Sequence, residues 1–158
     1  MEGRLRTGGN PAANAQWAHG HLTERAYPLS ENAPSMTRAY IIAEGMRPGS
    51  SLEDLEATLV RIDRAGAGNA APDQPRIWTT VTFESTLDPD RLAAKLSKVL
   101  DDRPARWYSH FRAGDEMFVV FPARILRYPV GDQAGKVRVQ EYARSIGVPG
   151  RQIDWDET

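Results

Sequence analysis

The 158-residue chain contains no cysteine. That absence excludes disulfides, thiolate metal sites and a thiol nucleophile, and it makes a reducing compartment, the cytoplasm, the expected setting. No stretch approaches the ~20 apolar residues of a membrane-spanning helix, so no membrane partner is expected. Charge of one sign is not in excess: Lys and Arg total 20, Asp and Glu 21, for a formal net charge of −1. That balance argues against a chain built to coat nucleic acid. Familiar catalytic and phosphate-binding signatures are also missing. No G-x-S-x-G elbow and no G-K-[ST] occurs, and GAGNAA at residues 66–71 lacks the third glycine of a dinucleotide fingerprint. No cofactor is expected. Histidine is scarce, at three residues. His19 and His21 lack the further ligands on a rigid frame that a metal site needs. Glu53, Asp54, Glu56, Asp101 and Asp102 read as solvated charges, so no metal site is expected either.

What is present divides in two. Residues 1–35 are rich in Gly, Ala, Asn, Ser and Pro, show no sustained period of 2 or 3.6, and lack the apolar core of a secretory signal. They read as a flexible N-terminal arm, with an ordered wrap anchored by Trp17 and Tyr27 as the rival. Residues 36–158 read as a single compact domain, a length that buries a sufficient core without staples.

Within the domain, RAYII at residues 38–42 suggests a short strand. Residues 52–64 carry two periods. Leu52, Leu55, Leu59 and Ile62 suit a helix, whereas the β-branched alternation of Thr58, Val60 and Ile62 suits a strand, and a strand over 57–64 is chosen. RIWTTVTFES at residues 76–85 alternates throughout. Asp88 and Pro89 predict an N-cap and first turn, and Leu92, Leu96, Val99 and Leu100 form the stripe of the following helix. Ala113-Gly114-Asp115 predicts a three-residue hairpin turn between two strands. FVVF at residues 118–121 is apolar on both faces and predicts a central strand, with Pro122 at a bulge or at the end of pairing. Asp132 caps a last helix with the face Val139, Tyr142, Ala143 and Ile146, stopped by Gly147 and Pro149. Trp155 is expected to pack back. The order strand–strand–helix twice over, with Trp78 and Trp107 near corresponding strand starts, suggests an α+β fold: a ferredoxin-like ββα-ββα antiparallel sheet of about four strands with both helices on one face.

FVVFPARILRYPVGDQAGKVRVQEYARSIGVPGRQIDW, with WTTVTFES and RWYSHF, resembles small uncharacterised bacterial α/β proteins that have Trp-initiated strands, an R-Y-P-x-G-D turn and a closing Q-x-D-W. The resemblance covers about residues 36–155. It implies one compact domain, carries no activity, and transfers no site residue.

If Ile77, Val81, Phe83, Trp107 and Phe111 face the helices, the open sheet face displays Trp78, Thr80, Tyr108, His110, Arg112 and Arg61. Such a face can stack a flat ligand, bind an anion or a base, or meet a second copy of the chain or another protein; the rival is that residues 36–50 or the tail around Trp155 lie across it. His110 is the one histidine of the domain and the only candidate for imidazole acid–base chemistry, with Tyr108 beside it. In RYPVGD, Arg127 and Tyr128 precede a helix N-terminus and suggest a small-anion or carboxylate site, against simple capping by Asp132. Charge is uneven: residues 91–151 hold 12 basic and 6 acidic side chains. Arg124, Arg127, Lys136, Arg138, Arg144 and Arg151 suggest a basic stripe, but no RNA-binding aromatic signature accompanies it, and nucleic acid ranks last among partners. The leading expectation is a non-enzymatic interaction or self-association module. A small-molecule binder or enzyme built on Tyr108, His110, Arg112 and Arg127 comes second.

Overall fold

The structure is a computed structural model that describes residues 35–103 and 106–158. The expected arm, with Trp17, Tyr27, His19 and His21, lies outside these residues apart from Ser35. Along the described chain run β1 (Thr37–Ile42), β2 (Ala57–Gly66), β3 (Ile77–Ser85), α1 (Pro89–Val99), β4 (Ser109–Ala113), β5 (Glu116–Phe121), β6 (Arg124–Pro129) and α2 (Gln133–Ser145). Short 3-10 turns occupy Ala43–Gly45 and Gly150–Gln152. The α+β class is as expected, and β2 is a strand.

The ferredoxin-like sheet is not what forms. Two three-stranded antiparallel sheets form instead, in the orders β1-β3-β2 and β4-β5-β6. The expectation went astray at Pro122. β5 ends at Phe121, Phe121 pairs with Arg124, and the chain reverses through Pro122 and Ala123. Proline presets φ at the first central position of such a turn, and Ala123 takes φ 58° at the second. RILRYP therefore returns as a separate strand. The preceding hairpin is tighter than expected: Ala113 pairs with Glu116, leaving Gly114 and Asp115 as a two-residue loop. Gly114 has φ 58°, the conformation that the first position of a type II′ turn needs.

β5 is central, as its apolar pattern predicts, and this is why the helices cannot share a face. Phe118 and Val120 pack with Leu92 and Leu96 of α1 in one core. Met117, Val119 and Phe121 pack with Val139 and Ala143 of α2 in the other. Each side chain in this run contributes about 1.5–3 kcal/mol of burial. Both helices are capped as the sequence predicts. The Asp88 carboxylate accepts from the Asp90 and Arg91 amides, and Asp132 accepts from the Gly135 amide.

The free edge of β1 lies beside β4. No backbone ladder joins them; the Ser109 hydroxyl donates to the Tyr40 carbonyl at 2.6 Å. β3 is the middle strand of its sheet, so β2 forms the outer edge. No helix of the described residues is long and apolar enough to cross a membrane.

Candidate functional site

Alternation along β4 places Tyr108 and His110 on the α2 side of the sheet, and there the C-terminal tail covers them. Trp155, 2% exposed, stands edge-on to Tyr108 with ring centroids 5.7 Å apart and lies 6.4 Å from His110. The Tyr108 hydroxyl donates to the Gln152 carbonyl. Burial, with Asp154 adding to it, pushes the Tyr108 phenol up to about 12. Across the seam, the Tyr40 hydroxyl and His110 Nδ1 are 2.9 Å apart and the rings meet edge-to-face. Burial lowers the imidazole to about 4, against a partly offsetting pull from Asp156, so His110 is neutral at pH 7. Among the described residues its Nε2 has no hydrogen-bond partner.

Next to this pair a cleft of about 580 Å³ opens between β1 and β4, with Arg38, Tyr40, Thr82, His110, Arg112 and Asp156 among its walls. Both arginines are already engaged. Arg38 meets Glu84 at 2.6 Å, and Arg112 donates to the carbonyls of Gly114 and Glu157.

The structure thus gathers Tyr108, His110 and Tyr128 around Trp155 and leaves Arg112 at the cleft mouth. Trp78 and Arg127 lie elsewhere. Trp78 stands edge-to-face with Trp107 at 5.3 Å and donates to the Pro75 carbonyl, so it is packed rather than displayed. Arg127 sits on the α1 side of β6, 3.2 Å from Asp90 and 3.8 Å from Glu116. Tyr128 is 2% exposed; its hydroxyl accepts from Trp155 Nε1 and donates to Glu157. Burial again pushes that phenol up to about 12.

At RYPVGD the chain's own Glu157 is bound without Arg127, and Asp132 caps the helix. Glu157 takes the Gly131 amide at 3.1 Å and the Tyr128 hydroxyl at 3.0 Å, with Lys136 at 3.7 Å. The expected basic stripe is similarly committed. Arg124 lies over the Tyr142 ring, Arg138 faces Asp132 at 3.7 Å, and Arg151 donates to the Ala70 carbonyl. Among the described residues no group of three or more His, Asp or Glu is placed to hold a metal ion.

The feature that sequence reasoning did not single out is β2. All ten of its residues except Asp63 are exposed. Leu59, Val60 and Ile62 retain 57%, 44% and 58% of their surface. Leu59 pairs with Phe83 and Ile62 with Val81, which puts both on the face that α1 covers further along the sheet. A bulge between Leu59 and Arg61 restores the register and leaves Arg61 and Asp63 on the opposite, polar face. Beside the strand runs an open apolar groove of about 600 Å³, walled by Met46, Leu52, Leu55, Leu59, Val81 and Phe83. The signal was the doubled periodicity of residues 52–64. Apolar residues there satisfy both patterns because neither face of the strand is committed to the core.

Compared with family models, curated proteins and solved structures, the chain matches none.

Proposed function

We propose that the chain is a non-enzymatic interaction module that binds through the outer edge of β2 and the apolar groove beside it. The observation that carries this is the exposure of Leu59, Val60 and Ile62 on a ten-residue edge strand. Such an edge presents unpaired amides and carbonyls together with apolar side chains, and in a protein that works alone it is blunted by proline or inward charge. β2 has neither. An added strand satisfies its backbone, and side chains on the α1 side enter the groove. The interaction surface is therefore β2, whereas the aromatic residues Trp78, Tyr108 and His110 serve packing.

The test is site-directed photo-crosslinking of the full chain in cells, with the photoreactive residue at Leu59 or Ile62 and at the exposed helix positions Arg91 and Arg138 as controls. A discrete adduct at the β2 positions and none at the controls is expected. No adduct at β2 above the controls would overturn the proposal.

The second function, a small-molecule binder, is favoured by one observation: among the described residues His110 Nε2 has no partner, beside a cleft of about 580 Å³. It requires a compound whose thermal stabilisation of the protein is lost in His110→Ala. Equal stabilisation of both proteins removes the cleft from consideration.

A further inference from the structure

Edge strands choose partners by what lies opposite, and the charges on β2 discriminate among its own registers. Resting on the edge-strand proposal above, we infer that the partner is a second copy of this chain, paired β2 to β2 antiparallel about a two-fold axis through Ile62. In that register Arg61 of each copy faces Asp63 of the other, twice by symmetry, and Ile62 faces Ile62. Shifting the axis by one residue sets Arg61 against Arg61 or Asp63 against Asp63. Like charges directly opposite destabilise a strand pair and opposite charges support it, so charge selects the Ile62 register over these neighbours.

Two further features of the strand agree. Arg61 and Asp63 already share the polar face, 2.6 Å apart, with Arg61 exposed and Asp63 half-buried, so exchanging partners across the axis uncovers no core side chain. The bulge lies between Leu59 and Arg61, so the three residues at the axis, Arg61–Asp63, are regular, and the bulge enters only where Val60 would face Arg64. A two-fold perpendicular to the sheet keeps the α1 faces of the copies on one side. Leu59 and Ile62 of both chains then form a continuous apolar strip, joining two three-stranded sheets into one of six strands.

Because the chain has no cysteine, a single introduced thiol reports the register. In the full-length protein, Ile62→Cys places identical side chains opposite each other, within reach of a disulfide or a short bismaleimide. Thr58→Cys lies eight residues from its copy, about 27 Å along the strand, and should not couple. A covalent dimer from Ile62→Cys alone is the expected result. Dimer from both variants would mean random collision, and dimer from neither would mean no such pairing; each overturns the inference. Arg61→Asp or Asp63→Arg alone is expected to weaken the dimer about 10-fold by light scattering, and the double exchange to restore it. Loss in the double variant as well would overturn the register. In the cellular photo-crosslinking, an adduct of a mass other than twice 17.6 kDa would leave the edge-strand proposal standing and remove the second copy.

Discussion

β5 and β2 draw on the same residue types and meet opposite fates. β5, with Met117, Phe118, Val119, Val120 and Phe121, is buried on both faces, and none of these side chains exceeds 2% exposure. β2, with Leu59, Val60 and Ile62, is exposed on both. The difference is neighbours rather than propensity. β5 has a strand on each edge and a helix on each face, whereas β2 has β3 on one edge, open water on the other, and α1 packing with β1 and β3 rather than with it. A β-branched apolar strand is thus only a demand for cover. Where the fold supplies the cover the strand is core, and where it does not the strand stays exposed, the condition on which the edge-strand proposal rests.

The sharpest way to break this comparison is to charge both strands. Val119 is 0% exposed, between His110 on β4 and Leu126 on β6. Val119→Asp buries a carboxylate without a partner, and the expected loss exceeds about 4 kcal/mol, enough to unfold a domain of ordinary stability. Urea unfolding of the two proteins measures it. A cooperative, near-wild-type transition would mean β5 is not the core strand described here.

The seam between β1 and β4 supplies an effect of intermediate size that pH reveals. The folded pKa of His110 is depressed from 6.5 to about 4 by burial. Above pH 6.5 the imidazole is neutral in both folded and unfolded chains and contributes no pH dependence. Between 6.5 and 4 the unfolded chain binds the proton more readily, so stability falls with pH, by at most about 3 kcal/mol across that window. His110→Gln keeps an acceptor for Tyr40 and should flatten the stability curve between pH 6.5 and 4. An unchanged slope would assign the acid sensitivity to other groups.

Close packing beneath the same seam gives a smaller effect. A Cβ on Gly45 would stand 2.8 Å from the Trp107 ring, which is 4% exposed and wedged against Trp78. Gly45→Ala should therefore cost about 1–3 kcal/mol through displacement of the indole. Denaturation together with near-ultraviolet circular dichroism checks both the loss and its cause. An unshifted midpoint would show that Trp107 yields freely.

Most of the local structure was legible because each signal concerned few residues. Asp88 with Pro89, and Asp132 with Gly147, marked both helices, and the alternation of Ile77–Ser85 marked β3. The sheet arrangement was not legible. Pro122 ends pairing either at a bulge or at a reversal, and only the fit of Ile125 and Leu126 against β5 decides for reversal. The two-sided pattern of FVVF implied cover on both faces and already conflicted with placing both helices on one; the resolution needed knowledge of where α1 docks. Among candidate site residues, alternation put Tyr108 and His110 together, but Tyr40 enters from 70 positions earlier and Glu157 from 29 positions beyond Tyr128, pairings that no local period records.

Ile62→Asp is expected to change the stability of the dilute monomer by no more than about 0.5 kcal/mol, because a side chain already 58% exposed has little burial to lose. The same substitution should abolish association, since it sets carboxylates opposite one another at the proposed two-fold axis and removes the central apolar contact. Urea unfolding at low concentration and light scattering at high concentration separate the two quantities. A large loss of monomer stability would mean that β2 is held by its own domain and resembles β5 after all. Small loss with unchanged mass would remove β2 as the surface of assembly. Small loss with loss of dimer would show that the apolar residues of β2 are present for a neighbour the single chain does not contain.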